Sequence, residues 1–336
     1  MASTYQIFYV ALSVLGVWAS HAMSRTLLEP SMLEWHEQWM VRHGRAYTDA
    51  IEKERRFKIF KDNVKFIESF NNDGNQSYRL SVNEFADQTN EEFRAAHNSF
   101  RPAKARASAA TPFMYENVTA PSNMDWRKKG VVTPVKDQRD CACCWAFSTV
   151  AAIEGITKLK TGKLHSLSVQ ELVDCNTENY GCNGGYLHIA FNFIKRNRGL
   201  TAETNYPYKG VKGSCNTKKA SNLAAKINGY EDVPPNSEKA LLKAVANQPV
   251  SVYVEGSGSA FQFYSGGVFT GPCRTDLDHV VTAVGYGTTD DGTKYWLVKN
   301  SWGTNWGEGG YMRMKRDVDA KEGVCGIAMF PSYPTA

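Results

Sequence analysis

The distribution of the eight cysteines constrains this chain more than any other feature of its sequence. All eight follow residue 140, and two of them, Cys143 and Cys144, are adjacent. An even number of cysteines in a secreted protein indicates disulfide bonds. The adjacent pair favours six structural cysteines and a different role for the remaining ones. A zinc site built on Cys141, Cys143 and Cys144 is the competing interpretation, but the sequence has no second ligand pair with zinc-finger spacing.

The N-terminus has the pattern of a secretory signal. Residues 7–19 read IFYVALSVLGVWA, and this apolar run is too short for a membrane-spanning helix of about 20 residues. Small residues at Ser20 and Ala22 predict cleavage after Ala22, so that residues 1–22 form a signal peptide. The sequence therefore predicts a protein that passes through an oxidising compartment and has no membrane anchor.

The composition is that of an ordinary globular protein. Apolar residues make up 42% of the chain and charged residues 22%, with a net charge of +5. No block rich in Lys and Arg with interleaved aromatic residues is present, which argues against nucleic acid as a partner.

Residues 31–71 are predicted to form two helices. Apolar residues recur every three or four positions, at Met32, Trp35, Trp39 and Met40 in the first and at Phe57, Phe60, Val64 and Ile67 in the second. Residues 101–112 (RPAKARASAATP) lack such a period and predict an exposed linker open to proteases. Asn75 and Asn117 begin N-x-[ST] sequons and are predicted glycosylation sites.

The second half of the chain changes from helix to strand. Residues 144–159 are apolar on almost every side and predict a buried helix that ends before Gly162. From residue 250 onward, short β-prone runs (VSVYVE, VVTAVGYG, YWLVKNSW, YMRMKR) alternate with glycine and predict an antiparallel sheet or barrel. The pattern indicates an α+β fold with a cleft between a helical part and a strand-rich part.

Three local patterns carry the chemistry. Cys144 begins the buried helix, where the helix dipole favours a nucleophilic thiolate. Asp278-His279 places a base at the start of a β-prone run, and Asn300 in KNSWG offers an amide to orient its imidazole beside Trp302. Each of these residues has a simpler interpretation: a buried inert thiol, a core histidine or a turn asparagine.

In combination, the patterns resemble the papain family of cysteine proteases. The motifs are QRDCACCWAFS (138–148), GCNGG (181–185), DHVV (278–281) and KNSWG (299–303). The resemblance implies Cys144 as nucleophile, His279 as base, Asn300 as its orienting partner and Gln138 as oxyanion donor, without any cofactor or metal. It also implies the disulfide pairs Cys141–Cys182, Cys175–Cys215 and Cys273–Cys325. Its fold would be a helical left domain, an antiparallel β-barrel-like right domain and a small helical prodomain.

The upstream residues resemble the inhibitory propeptide of that family. The helix pattern falls on Glu52, Arg56, Phe60, Asn63, Ile67 and Asn71, and a second pattern falls on Ser81, Asn83, Phe85 and Asp87. The resemblance implies a propeptide over 23–119 and a mature protease over 120–336, beginning before Pro121 and the Asp125-Trp126 pair. The expected product is an endopeptidase zymogen, delivered to a vacuole or lysosome or secreted. The vacuole is favoured because the composition and motif variants look plant-like.

The resemblance also implies the residues that bind substrate. They are Gly184, Gly185, Tyr186, Leu187, Tyr253, Leu277, Asp278, Trp302 and Phe330. The large side chains of Tyr253 and Phe330 predict a shallow apolar S2 pocket. Such a pocket is expected to prefer Val, Leu or Pro to Phe or Arg at the P2 position of the substrate. The expected partners are protein and peptide substrates, the chain's own propeptide and cystatin-type inhibitors, and the expected state is a monomer.

The chain departs from the family beside the nucleophile. Arg139 and Ala142 stand where the family usually has glycine, and Asp140 precedes Cys141. Glycine tolerates positive φ and close backbone approach, which other residues tolerate poorly. Ala142 is therefore expected to narrow the groove. The substitutions leave open a second function, in which a catalytically impaired homologue serves in storage, defence or binding.

Overall fold

The computed structural model describes residues 32–98 and 113–336, which form two compact units. Residues 32–66 and 86–88 make up the first unit, and residues 67–85, 89–98 and 113–336 the second. The predicted signal peptide (1–22) and the predicted linker (101–112) lie outside the described residues. Among the described residues, no helix is long and apolar enough to cross a membrane.

The first unit is built on an aromatic cluster between its two helices. Helix α1 covers 32–43, and helix α2 (Ala50–Asn72) begins in this unit and continues into the second, which confirms both predicted helices. His36 is 0% exposed. It lies within 5.0–6.1 Å, ring centre to ring centre, of four aromatic side chains, Trp39, Tyr47, Phe57 and Phe60. Neither of its ring nitrogens has a hydrogen-bond partner among the described residues.

The polar face of α2 fixes the segment that follows. Arg56 pairs with Glu52 at 2.6 Å and donates to the carbonyl of Asp87 at 2.9 Å. Asn63 donates to the carbonyls of Ala86 and Gln88 at 2.8 and 2.9 Å. These bonds account for three polar positions of the propeptide pattern, Glu52, Arg56 and Asn63, which are four and seven residues apart and so share one face of the helix.

The second unit begins with residues 67–85, which include the end of α2 and the residues after it. Strand β1 (Tyr78–Leu80) is held by Asn71, which both donates to and accepts from the backbone of Leu80. Helix α3 (Asn90–His97) opens with a capping box, in which Thr89 and Glu92 each bond the other's backbone N–H.

Most helices of the second unit precede its main sheet. The elements are β2 (Met124–Asp125), α4 (Cys144–Thr161), α5 (Val169–Cys175), α6 (Leu187–Arg196), β3 (Leu200–Thr201), α7 (Thr217–Ala220) and β4 (Leu223–Ala225). In α4, 13 of the 18 residues are buried, and Gly162 ends the helix at φ 75°. The prediction of a buried helix that stops before this glycine is confirmed, because glycine reaches the left-handed region without a Cβ penalty.

The C-terminal part is a nine-stranded sheet. Its elements are β5 (Gly229–Asp232), α8 (Glu238–Asn247), β6 (Val250–Val254), α9 (Ser259–Gln262), β7 (Tyr264–Phe269), β8 (His279–Thr288), β9 (Lys294–Lys299), β10 (Tyr311–Lys315), a 3₁₀ turn (Val324–Gly326) and β11 (Ser332–Thr335). The strand order is β1-β7-β10-β9-β8-β6-β11-β5, with β2 also on β8. The four predicted runs are confirmed as β6, β8, β9 and β10. The expectation of a wholly antiparallel sheet is wrong at one place, because β7 and β10 run parallel.

Ser148 joins the buried helix to the sheet. Its hydroxyl donates to the carbonyl of Val281 in β8 at 2.8 Å and accepts from Thr282 at 3.0 Å. Its carbonyl accepts from Ser251 of β6 at 3.0 Å. Ser148, Ser251 and Thr282 have buried hydroxyl groups, and each of them is hydrogen-bonded within this set of contacts. The register between α4 and β8 is therefore specified by hydrogen bonds as well as by packing.

Three disulfides close the loops around this core. They are Cys141–Cys182, Cys175–Cys215 and Cys273–Cys325, the pairs that the family resemblance implies. Cys143 and Cys144 are free and buried. A disulfide closing a loop of 40–52 residues typically stabilises a fold by about 2–4 kcal/mol.

The buried imidazole of His36 predicts an acid-sensitive first unit. Burial lowers its pKa below 6.5, so the unfolded chain binds this proton more readily than the folded one. Stability is therefore lost as the pH falls below about 6.5. In a chain whose candidate nucleophile is removed by Cys144→Ser, His36→Phe should reduce this loss. Hydrogen exchange of residues 32–66 between pH 7 and pH 4.5 measures it, with α4 as internal reference. Equal loss of protection with and without His36 would contradict the assignment.

Candidate active site

Cys144 is the first residue of α4 and is 2% exposed. The backbone N–H groups of Val280 and Trp145 favour its thiolate, but burial opposes them and raises the pKa of the thiol to about 12. The sequence predicted a lowered pKa from the helix terminus. In the form that the structure describes, burial is the larger effect, so the thiol is neutral.

His279 begins β8 and is held by Asn300. Its Nε2 lies 2.8 Å from Asn300 Oδ1, and that oxygen also accepts the N–H of Ser301 at 2.8 Å. The Ser301 N–H identifies this amide atom as the acceptor, so Nε2 carries the imidazole hydrogen and Nδ1 carries the free lone pair. Burial lowers the pKa of His279 to about 3. The indole of Trp302 stacks on the imidazole at 4.5 Å and excludes water.

Gln138 lies 0% exposed beside this pair. Its Oε1 accepts from the Ser301 hydroxyl at 2.6 Å, which orients the amide. Its Nε2 donates to the carbonyl of Cys141 at 3.1 Å and faces the carbonyl of His97 at 3.4 Å. The Gln138 amide is thus already engaged by a carbonyl of helix α3, in the segment upstream of residue 99.

That upstream segment covers Trp302 with aromatic rings. Phe85, Phe93 and His97 lie edge-on to the indole at ring-centre distances of 5.9, 5.1 and 5.9 Å. The sequence motifs point to neither His97 nor Phe93 as a functional residue. Their spacing of four on a short helix was the available signal.

The predicted groove glycines lie where side chains would not fit. Gly184 has φ 103°, in the region that favours glycine. A Cβ on Gly185 would lie 2.7 Å from the ring of Trp145, so the backbone approaches this indole closely. Tyr186 follows directly and is the N-cap of α6.

The predicted S2 residues come together in one apolar cluster. Leu187 donates its backbone N–H to the hydroxyl of Tyr253 at 2.9 Å, and both belong with Leu277 to the buried core around Cys144. Tyr186 and Phe330 pack against it, as does Met329, which the sequence reasoning did not name. Asp278 is not part of this cluster. Its carboxylate accepts the N–H of Gly256 at 2.8 Å, and burial raises its pKa to about 7.

Arg139 adopts the backbone conformation for which the family uses glycine. Its φ is 52°, in the left-handed region, at a cost of about 1–3 kcal/mol for a residue with a Cβ. Ala142, at the second of these glycine positions, does not have a positive φ. Its N–H donates to the carbonyl of Cys182 at 3.0 Å. Of the two substituted glycine positions, only 139 therefore carries the strain of a positive φ.

Two further predictions concern the surface and metals. Asn75 and Asn117 are both exposed, as glycosylation would require, and their modification remains a prediction. Among the described residues, no group of three or more His, Cys, Asp or Glu side chains is arranged to hold a metal ion.

Comparison with known proteins identifies the family. Residues 120–335 match the model of the papain family of cysteine proteases, and residues 36–93 match the cathepsin propeptide inhibitor domain. The senescence-specific cysteine protease SAG39 of Oryza sativa is 55% identical over the full length of both chains. SAG12 of Arabidopsis thaliana is 53% identical over 95% of this chain and 96% of its own.

Solved structures of similar proteins support the same family. The recombinant stem bromelain precursor superposes with a TM-score of 0.85 at 46% identity, covering 91% of this chain and 99% of its own. The proform of the ragweed pollen cysteine protease Amb a 11 gives 0.86 at 43%, covering 91% and 95%. The chain therefore belongs to the papain family and is a cysteine protease zymogen with a propeptide inhibitor domain.

The buried thiol of Cys144 is predicted to be unreactive in the precursor. With the pKa of Cys144 at about 12, little thiolate is present at pH 7, so iodoacetamide should label Cys144 at least about 100-fold more slowly in the precursor than in the processed enzyme. Timed labelling followed by peptide mapping measures both rates, and Cys143 in the same peptide is an internal reference. Similar rates before and after processing would contradict a silent thiol.

Proposed function

We propose that Cys144, His279, Asn300 and Gln138 are the catalytic residues of this protease. The observation that carries the proposal is the His279–Asn300 bond of 2.8 Å, which leaves Nδ1 of a buried imidazole as a free base. Val280, the residue after this histidine, directs its backbone N–H at the thiol of Cys144. A base and a nucleophile on two different parts of the fold are thereby brought together.

The reaction follows from these positions. His279 takes the thiol proton, and the Cys144 thiolate attacks the scissile carbonyl to form a tetrahedral intermediate. The Gln138 amide and the Cys144 backbone N–H stabilise its oxyanion, a contribution of about 3–4 kcal/mol for one such donor. His279 then protonates the leaving amine, and water hydrolyses the thioester.

The propeptide is proposed to silence the enzyme through the contacts of Phe85 and residues 89–98. Three rings cover Trp302, and the His97 carbonyl faces the Gln138 amide that a substrate oxyanion would use. We infer a signal peptide over 1–22, a propeptide over 23–119 and a mature enzyme over 120–336. The match of the protease family model from residue 120 supports the last boundary.

The signal peptide supports a secretory route, with the vacuole as destination because the relatives named above are plant proteins. Secretion is the second destination. Cystatin-type inhibitors and a monomeric state remain predictions. The impaired homologue remains the alternative function, resting on Arg139, Asp140 and Ala142, but the relatives named as proteases do not favour it.

Acid activation should separate the two functions. The purified precursor, held at acidic pH, should produce a new N-terminus near Ala120 and then react with an epoxysuccinyl peptide at Cys144, as peptide mapping by mass spectrometry would show. Cys144→Ser should remain unlabelled, and Asn300→Ala should label slowly because the imidazole loses its orienting partner. Clean processing by an added protease without label on Cys144 would place the impaired homologue first.

The S2 cluster predicts the preferred residue at P2. The large side chains of Tyr253 and Phe330 in this cluster support a shallow pocket, and we expect kcat/KM to favour P2-Leu over P2-Phe or P2-Arg by roughly 10- to 200-fold. Peptide substrates that differ only at P2 measure this ratio in the processed enzyme. Tyr253→Ala should raise turnover of P2-Phe relative to P2-Leu. Equal turnover of P2-Arg and P2-Leu would contradict the shallow pocket.

A further inference from the structure

Two side chains hold the peptide bond between Gln138 and Arg139 from opposite ends. The N–H of Arg139 donates to Asp137 Oδ1 at 2.8 Å. The carbonyl of Gln138 accepts the hydroxyl of Tyr208 at 2.7 Å. The same carbonyl faces the N–H of Cys141 at a longer 3.4 Å. No helix or strand includes this peptide, so its orientation depends on these contacts.

This peptide needs such support because Arg139 is left-handed. A flip of the peptide plane would rotate φ of Arg139 by about 180°, from 52° into the extended region that a residue with a Cβ prefers. The flip would break both side-chain bonds. It would also remove the contact between the Cys141 N–H and the Gln138 carbonyl, and so loosen the turn whose Cys141 carbonyl holds the Gln138 side-chain amide. With glycine at 139, no such tendency would exist.

The surroundings of Tyr208 fit this role. Its hydroxyl has one hydrogen, which goes to the Gln138 carbonyl, so the Cys143 thiol at 3.1 Å donates to the hydroxyl oxygen. The ring of Phe147 packs edge-on to the tyrosine at 4.9 Å and fixes its direction. Two residues on, a Cβ at Gly210 would lie 3.3 Å from Cδ of Arg139, so this loop leaves space for the arginine.

We propose that Tyr208 and Asp137 are positioning residues for the oxyanion hole. They hold the strained Gln138–Arg139 peptide in the orientation that keeps the Gln138 amide in place, and so make an arginine workable where relatives use glycine. Cys143 supports Tyr208 as a hydrogen-bond donor. The proposal rests on the proposed role of Gln138, and its test must separate the two.

The test compares four processed enzymes: the unaltered protein, Tyr208→Phe, Arg139→Gly and the double variant. Tyr208→Phe should lower kcat about 10-fold with KM within about two-fold, because an oxyanion contact acts mainly in the transition state. Alkylation of Cys144 by iodoacetamide forms no oxyanion and should proceed at an unchanged rate. In the Arg139→Gly background the same change should cost less than about three-fold, since the strain is gone.

Two further variants calibrate the result. Gln138→Ala should lower kcat about 100-fold or more if it supplies the oxyanion donor. Tyr286→Phe is the matched control, because its hydroxyl also donates to a backbone carbonyl, that of Pro121 at 3.0 Å, outside the cleft. It should leave kcat unchanged. Asp137→Ala should repeat the Tyr208→Phe pattern more weakly, because Asp137 is exposed and water replaces its carboxylate.

The variants distinguish the role of Gln138 from the positioning role of Tyr208 and Asp137. Unaltered kcat in Gln138→Ala would overturn the proposed role of Gln138. A loss in Gln138→Ala together with unaltered kcat in Tyr208→Phe would overturn the positioning role alone. The positioning role would also be overturned if Tyr208→Phe lowered kcat equally with arginine and with glycine at position 139. Such a result would indicate a general effect on the structure. Should Tyr208→Phe not fold, Asp137→Ala with and without Arg139→Gly makes the same comparison.

Discussion

The hydrogen bond from Ser148 to the carbonyl of Val281 is the contact on which the geometry of the site depends. Ser148 lies one helical turn after Cys144, and Val281 lies two residues after His279. Such a bond contributes only about 1 kcal/mol, but losing one buried partner costs more, about 1–3 kcal/mol. Packing along α4 supplies the larger stabilisation and would tolerate small slips. The bond is directional, so it selects one register of helix against strand, and with it one position of Cys144 relative to His279.

A second buried network secures the other end of the site. Glu154, 1% exposed in α4, accepts from Thr133 at 2.6 Å, from Lys136 at 3.1 Å and from the backbone of Leu167 at 2.9 Å. Lys299, the residue before Asn300, donates to Thr133 at 2.8 and 3.0 Å. Burial lowers the pKa of Lys299 to about 8, so it remains charged in an acidic compartment. Removing one member of such a network typically costs about 3–5 kcal/mol, because it leaves a buried charge uncompensated. The helix that carries Cys144 and the strand that leads to Asn300 are therefore linked through one set of charges.

The sequence predicted the parts of this fold whose signals are local. Helix α4 and its stop at Gly162 were readable because apolar residues and a C-terminal glycine lie within one short segment. Strand β11 was not, because it contains Pro334, which single-sequence reasoning assigns away from strands. Strand β1 pairs with β7, nearly 190 residues later, and no local pattern reports such a partner. The same limit applies to the site. Gln138 could be singled out from a local motif, whereas the hydrogen bond from Tyr208 to the Gln138 carbonyl joins positions 70 residues apart.

Covering the site also changes its chemistry, beyond blocking access. An ion pair between Cys144 and His279 must be stabilised against the loss of water around both charges. In the precursor, Phe85, Phe93 and His97 pack on Trp302, burial raises the pKa of the thiol, and burial lowers that of the imidazole. Both shifts favour the neutral pair, and the proximity of the two groups alone does not reverse them. Departure of Phe85 and residues 89–98 would uncover Trp302 and free the Gln138 amide in the same step. Because the cover on Trp302 and the contact on the Gln138 amide come from the same short stretch of chain, its release would change access and ionisation and would free this amide together.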